Sequence, residues 1–139
     1  METLTTPTGR GTVRMIGLIV AKDGMTHEEF TERWLRHGEL IRSMDYVQKN
    51  ILKYEQYHLD TSIPAEHRAS LVECSGMAIM EADSLDKILG IFTSKEFLAK
   101  GVVDEETFLN REKSRMYPAF TLTVLDNDRP TVGSEKASH

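Results

Sequence analysis

The chain has 139 residues, of which 40% are hydrophobic and 28% charged, and its formal net charge is −5 at pH 7. This length supports one domain with its own core, and the negative charge argues against a nucleic-acid-binding surface. The single cysteine, Cys74, excludes an internal disulfide, and no apolar run reaches the roughly 18 residues of a membrane span.

Both ends of the chain are polar and rich in residues that favour disordered tails. We therefore place a single domain at 12–126, between an N-terminal tail at 1–11 and a C-terminal tail at 127–139. The N-terminal tail lacks the apolar stretch of a signal peptide, so we expect a cytoplasmic protein.

The first two elements are a strand and an amphipathic helix. The apolar, β-branched segment 12–22 predicts a strand that is buried on both faces, and Asp23 and Gly24 close it with a turn. Thr26 then begins a helix, because Glu29 follows in the pattern of a capping box. Apolar side chains and one histidine recur at helical spacing and form one face of this helix: Phe30, Trp34, His37, Ile41 and Met44.

Three further strands are predicted. The second strand, 51–58, alternates, and its first face carries Leu52, Tyr54, Gln56 and His58. The third strand is predicted at 71–80, where Gly76 marks a bulge or a close approach. The fourth strand is predicted at 119–125.

Helices occupy the segment between the third and fourth strands. Asp83 or Ser84 caps the first of them, a further helix ends at Gly101, and residues 104–116 are amphipathic and partly helical. The resulting order is βαββαβ, a ferredoxin-like α+β fold with helices on one face of an antiparallel sheet. Because three strands are apolar on both faces, the uncovered face of the sheet predicts a homodimer in which two sheets face each other.

Histidines stand out as the candidates for chemistry. His37 lies in the apolar stripe of the first helix, where it is either a core histidine bonded to a backbone carbonyl or a functional group. Tyr54, Gln56 and His58 alternate on one face of the second strand, which is either the wall of a cavity or the solvent face of an edge strand. No histidine spacing supports a metal site and no phosphate-binding glycine loop is present, so we expect neither a metal nor a cofactor.

The sequence resembles a known family over about residues 12 to 126. The opening of EthD-type proteins, within the dimeric α/β-barrel superfamily, is matched here by Lys22, Gly24, Thr26, Glu29, Phe30, Trp34 and His37. The second strand resembles the family's strand that ends in histidine, here His58. A late segment resembles fungal EthD-like proteins at Asp104, Glu105, Phe108 and Leu109. At 75–80 the chain departs from the family pattern, because it lacks a carboxylate that relatives carry there.

The resemblance implies a cofactor-free site between the first helix and the concave face of the sheet. Fungal members resemble decarboxylases, dehydratases or cyclases of aromatic polyketide pathways, and related barrels include anthrone-type monooxygenases and haem-degrading enzymes. We therefore expect a lyase, foremost a decarboxylase or dehydratase, acting on an aromatic polyketide-type carboxylic acid. The alternatives are a cofactor-independent monooxygenase and a non-catalytic barrel that binds small molecules.

The expected lyase reaction assigns catalytic and substrate-binding roles to individual residues. We expect His37 to act as the acid and base, because the pKa of imidazole lies near neutrality. His58 and Tyr54 would orient the substrate or stabilise an enolate oxygen. The predicted substrate-binding residues are Lys22, Trp34, Gln56, Met80 and Phe92. The expected partners are a small-molecule substrate and a second copy of the chain, with no nucleic acid and no membrane.

Overall fold

A computed structural model describes residues 12–68 and 74–127 of the chain. The predicted tail at 1–11 and all but the first residue of the tail at 127–139 lie outside the described residues, as do residues 71–73 of the predicted third strand. Among the helices that the structure describes, none is long and apolar enough to cross a membrane.

Four antiparallel strands form one sheet in the order β2-β3-β1-β4. The strands are β1 (Val13–Ile19), β2 (Ile51–His58), β3 (Gly76–Ala82) and β4 (Arg115–Ala119). Ile16, at the middle of β1, lies opposite Ile79 of β3 on one side and Tyr117 of β4 on the other. This topology confirms the predicted ferredoxin-like βαββαβ arrangement.

Three of the four strands differ from the prediction in their bounds. The third strand, predicted at 71–80, runs from Gly76 to Ala82, and neither Cys74 nor Ser75 belongs to it. In the other two strands, the difference arises where a pairing partner ends. The prediction of the fourth strand at 119–125 is wrong, since β4 ends at Ala119, which lies opposite Arg14 next to the start of β1. Residues beyond Ala119 therefore have almost no strand left to pair with. β1 itself ends at Ile19 rather than at residue 22, because β3 begins at Gly76 directly opposite Ile19.

The second strand contains an irregularity that the alternation pattern does not reveal. The register between β2 and β3 shifts between Ile51 and Lys53, so one extra residue is accommodated there. As a result Ile51 packs against the core, whereas Leu52 is 58% exposed. The prediction that Leu52 shares a face with Tyr54 is therefore wrong.

The first long helix begins and packs as predicted. α1 spans His27–Ser43. The hydroxyl of Thr26 accepts from the amide of Glu29, and the Glu29 carboxylate accepts from the amide of Thr26, which forms the capping box. The five residues of the predicted face are buried: Phe30, Trp34, His37, Ile41 and Met44. This face holds α1 against the sheet.

The described residues also form four shorter helices: α2 (Asp45–Asn50), α3 (Ala65–Arg68), α4 (Leu85–Leu89) and α5 (Val102–Glu105). Ser84 caps α4, and a 3-10 turn at Gly90–Thr93 follows it. Residues 95–105 form one continuous helical segment that is π-helical at Phe97–Gly101 and ends as α5.

The prediction that a helix stops at Gly101 is wrong. Gly101 has ordinary right-handed helical angles, φ −66° and ψ −43°. A Cβ atom at this position would lie 2.5 Å from the ring of Phe97. Glycine is therefore needed here for close packing of the Phe97 ring, and it does not end the helix.

The core lies on one face of the sheet. Its three apolar clusters join helical residues to side chains of the strands that point toward the helices, such as Met15, Ala78 and Met80. The alternate residues Ile16 and Ile79 point to the opposite face and belong to none of these clusters. The two faces of the sheet are thus covered unequally within one chain.

Candidate active site

His37 is the one buried polar or charged residue among those that the structure describes. α1 carries it toward the sheet, and its ring packs against Phe108 with 5.0 Å between ring centroids. Nδ1 of His37 lies 2.9 Å from Oδ2 of Asp104. Because an ionised carboxylate can only accept, this hydrogen bond places a proton on Nδ1. The other nitrogen, Nε2, then points away from Asp104.

Glu105 lies on the other side of the imidazole. Its Oε2 is 3.7 Å from Nε2 of His37, and its Oε1 accepts a 2.6 Å hydrogen bond from the guanidinium of Arg111. The Glu105 side chain is only 13% exposed, whereas that of Arg111 is 60% exposed. Glu105 therefore links a buried histidine to a cation at the surface.

Burial shifts both titrating groups toward their neutral forms. Burial lowers the pKa of His37, and the hydrogen bond and charge of Asp104 offset part of that effect. Burial likewise raises the pKa of Glu105, the Arg111 cation opposes this rise, and the charge of Asp104 adds to it. His37 is consequently a neutral imidazole near pH 7, suited to accept a proton at Nε2.

The π-helical turn brings both carboxylates to His37. One inserted residue in a helix rotates everything after it by about 100°. Asp104 and Glu105 follow the π-helical segment Phe97–Gly101 by only three and four positions. Without the inserted residue, the side chains of Asp104 and Glu105 would be rotated away from the imidazole of His37.

His37 and Glu105 open into a small apolar cavity between α1, the sheet and the segment that follows α5. Its volume is about 80 Å³. The lining consists mainly of apolar side chains: Met15, Gly17, Ile19, Trp34, His37, Tyr54, Ala78, Met80, Phe92, Glu105, Phe108, Leu109 and Met116. Four residues predicted for the site besides His37 are therefore brought together here, namely Trp34, Tyr54, Met80 and Phe92.

His58 and Gln56 lie outside this cavity. They line an open groove of about 480 Å³ between α1 and β2, and Tyr54 contributes to both the groove and the cavity. The ring of His58 packs on Trp34 with 4.7 Å between centroids, and its Nε2 lies 2.9 Å from Oε1 of Gln56. The structure thus places the two candidate histidines in separate spaces, and Trp34, Gln56 and Tyr54 lie between them.

Lys22 does not line the cavity. Its Nζ donates a 2.7 Å hydrogen bond to the backbone carbonyl of Glu106, and its side chain is exposed. Lys22 therefore holds the turn after β1 against the end of α5. A role in substrate binding remains a prediction.

The two carboxylates beside His37 were not assigned a role from the sequence, although both matched the family pattern. A signal was present: Glu105 precedes the buried Phe108 by three positions, so a helical turn points an acid toward the core. Within residues 12–68 and 74–127, no group of three or more His, Cys, Asp or Glu side chains is placed to hold a metal ion.

Comparison with known proteins identifies the family. The EthD domain matches residues 22–112, which include His37, Asp104 and Glu105. The chain belongs to the EthD domain family. Among curated proteins, no sequence matches this EthD protein significantly.

Solved structures share the fold at low identity. An ethyl tert-butyl ether d (EthD) family protein from Bacillus halodurans is 14% identical, with a TM-score of 0.57 over 80% of this chain and 99% of the other. A dimeric protein of unknown function from Bacteroides fragilis is 19% identical, with a TM-score of 0.58 over 80% and 98%. SnoaB, a cofactor-independent oxygenase from Streptomyces nogalater, is 10% identical, with a TM-score of 0.54 over 83% and 97%. These similarities establish the ferredoxin-like fold of this EthD protein.

Proposed function

We propose that the protein is a cofactor-free lyase that removes water or carbon dioxide from a small aromatic or polyketide-type molecule. One observation carries this proposal. His37 is buried, it is oriented through Nδ1 by Asp104, and it lines a mainly apolar cavity together with Glu105, whose Oε2 lies 3.7 Å from Nε2 of His37. An imidazole held in this way is a general base with a defined tautomer.

In a dehydration, Nε2 of His37 takes the proton on the carbon next to a substrate carbonyl. The electrons of that C–H bond move toward the carbonyl oxygen and form an enolate. The enolate then expels a β-hydroxyl group, which leaves as water with the proton that His37 returns. Tyr54 lines the same cavity and supplies a hydroxyl that stabilises the enolate oxygen.

Within the lyase class, the described lining of the cavity favours dehydration over decarboxylation. The described lining residues include the carboxyl group of Glu105 and no lysine or arginine. A free substrate carboxylate would enter an apolar space beside this acid, unless one of the two carboxyl groups were protonated. A neutral β-hydroxy ketone carries no charge, so it enters the cavity without the desolvation cost and the repulsion that a carboxylate would meet there.

The test is a panel of aromatic β-hydroxy ketones and β-keto acids, with product formation followed by absorbance and mass spectrometry. We expect turnover by the wild type and a loss of roughly 10²- to 10⁴-fold in His37→Ala. His67→Ala is the matched control, since His67 is exposed on α3. A folded His37→Ala protein with full activity would refute the assignment.

A second candidate is a cofactor-independent oxygenase, in which the same base forms a carbanion or phenolate that reacts with O₂. The observation that favours it is the shared fold of SnoaB. Assays in sealed vessels separate the two reactions, because a lyase keeps its rate without O₂ and an oxygenase loses it. If the protein were a binding module only, His37→Ala would change affinity or stability while no substrate turned over.

We also propose that the protein is a homodimer. The sheet face opposite the helices presents Ile16, Leu18, Met77 and Ile79, which alternate with the cavity-lining residues. An apolar surface of this kind is unusual on a monomer. The Bacteroides fragilis protein with this fold is described as dimeric.

A further inference from the structure

We infer that Gln56 is a positioning residue that leaves the hydroxyl proton of Tyr54 for an oxygen atom of the ligand in the His37 cavity. The inference rests on the proposed function, because it assumes that a ligand binds in that cavity. It follows from the direction of each hydrogen bond that Gln56 makes. The ligand class that fits is a compound with a carbonyl, enolate or phenolate oxygen.

The orientation of the Gln56 amide is fixed by a backbone carbonyl. The carbonyl oxygen of Trp34 can only accept, and it lies 2.9 Å from one end of the amide, which is therefore Nε2. The other end, Oε1, then faces Nε2 of His58 at 2.9 Å. Because Oε1 can only accept, His58 must carry a proton on Nε2.

The same amide makes Tyr54 an acceptor. The second N–H of Gln56 Nε2 is directed at the hydroxyl oxygen of Tyr54, 3.2 Å away. The hydroxyl keeps its own proton, and among the described residues Gln56 is the one hydrogen-bond partner of Tyr54. This proton is therefore available to a ligand in the cavity that Tyr54 lines with His37 and Glu105.

Tyr54 also stays protonated at neutral pH. Burial raises the pKa of Tyr54, the hydrogen bond from Gln56 lowers it in part, and the charge of Glu105 raises it again. The hydroxyl is consequently a donor throughout the neutral range, as a group that stabilises a developing oxyanion must be.

Gly38 provides the space for this arrangement. A Cβ atom at Gly38 would lie 2.7 Å from Nε2 of Gln56 and 3.6 Å from the hydroxyl oxygen of Tyr54. Any side chain at this position would push the amide away from its two acceptors. Gly38 lies within the continuous helix α1 beside His37, and the packing of Gln56 against it explains why this position has no side chain.

The direction of the Gln56–Tyr54 hydrogen bond is tested by the sign of a pKa change. The protein is labelled with ¹³C at Cζ of tyrosine, the Tyr54 signal is assigned with Tyr54→Phe, and its titration is followed by NMR. If Gln56 donates, the bond stabilises the phenolate, so Gln56→Leu raises the pKa of Tyr54. If the amide instead accepted the hydroxyl proton, the same substitution would lower that pKa.

Two further variants exclude an effect of shape or polarity. Gly38→Ala leaves Gln56 in place but displaces its amide, so it also raises the pKa of Tyr54. Gln48→Leu makes the same chemical change elsewhere in the groove and leaves that pKa unchanged. A lowered or constant pKa of Tyr54 in both Gln56→Leu and Gly38→Ala overturns the inference.

Donation to a ligand is tested with two probes of similar size, 4′-fluoroacetophenone and 4-fluoroethylbenzene, observed by ¹⁹F NMR. We expect the wild type to prefer the ketone, and Tyr54→Phe and Gln56→Leu to reduce that preference by roughly 2- to 10-fold, the range of one neutral hydrogen bond. If all three proteins show the same preference for the ketone, or if none of them binds either probe, Tyr54 is not a donor to the ligand. Neither measurement requires turnover, so failure of the lyase proposal would leave both results unchanged.

Discussion

Nδ1 of His37 lies 2.9 Å from Oδ2 of Asp104, although the two residues are 67 positions apart in the chain. This hydrogen bond holds the imidazole in one tautomer and one orientation, with Nε2 3.7 Å from Oε2 of Glu105. The acid and base chemistry proposed for His37 therefore depends on a carboxylate that is not among the residues lining the cavity.

Replacing Asp104 with asparagine should lower the pKa of His37 further. The carboxylate raises that pKa through its hydrogen bond and its charge, against the larger effect of burial. The change is measured by NMR titration of the His37 ring proton on Cε1. Asp83→Asn is the control, because Asp83 forms an ion pair at the surface with the partly exposed Lys87. A pKa of His37 that rises in Asp104→Asn contradicts the assigned contact.

Acidification should destabilise the wild type more than a His37→Gln variant. The pKa of His37 in the folded protein lies below its ordinary value of 6.5, so below about pH 6.5 the unfolded chain binds a proton more readily than the folded one. The stability due to neutral His37 is thus present above this pH and is lost as the pH falls toward the folded pKa. Urea unfolding at about pH 7.5 and about pH 5.5 measures the difference. Equal losses in both proteins would show that His37 is not desolvated.

Two glycines of the sheet should respond differently to alanine. A Cβ atom at Gly76 would lie 2.4 Å from the indole ring of Trp34, which cannot withdraw from the core. At Gly17 the nearest atom is the flexible end of Ile19 at 3.3 Å. We expect Gly76→Ala to cost about 1–3 kcal/mol of unfolding free energy and Gly17→Ala distinctly less, as measured in urea. Similar losses at both positions would argue against the close packing of Trp34 on Gly76.

A charge on the open face of the sheet should dissociate the proposed dimer. Ile79 lies at the centre of that face, between Ile16 and Glu55. We expect Ile79→Glu to sediment as a monomer while its far-ultraviolet circular dichroism is unchanged. Leu98→Glu, at a helical position that is 56% exposed, should remain dimeric like the wild type. A monomeric wild type would rule out the dimer itself.

Local signals predicted much of the fold. The capping box at Thr26 and the buried stripe of α1 depend on residues three and four positions apart, and the structure confirms both. The sheet order follows from the βαββαβ succession, because short connections leave few other topologies. The turn at Asp23 and Gly24 was also correct, with Gly24 at φ +84°.

The errors concern features that distant parts of the chain determine. The end of β4 is set by the length of β1, which nothing near Ala119 reveals. The extra residue near Leu52 becomes visible only when β2 is paired with β3. The approach of Asp104 to His37 depends on a π-helical turn, and the sequence marks that turn only by Gly101, which resembles a helix stop.

The volume of the cavity has a consequence for selectivity. At about 80 Å³ it is smaller than the roughly 150 Å³ that accommodates benzene, so a ring-shaped ligand must displace lining side chains to enter. The unbranched thioethers of Met15, Met80 and Met116 change rotamer readily, and Met116 is 53% exposed at the rim. Only a molecule that makes enough apolar contacts gains the binding free energy needed to displace these methionine side chains. A ligand is therefore selected by size and polarity when it enters the cavity, before it reaches His37.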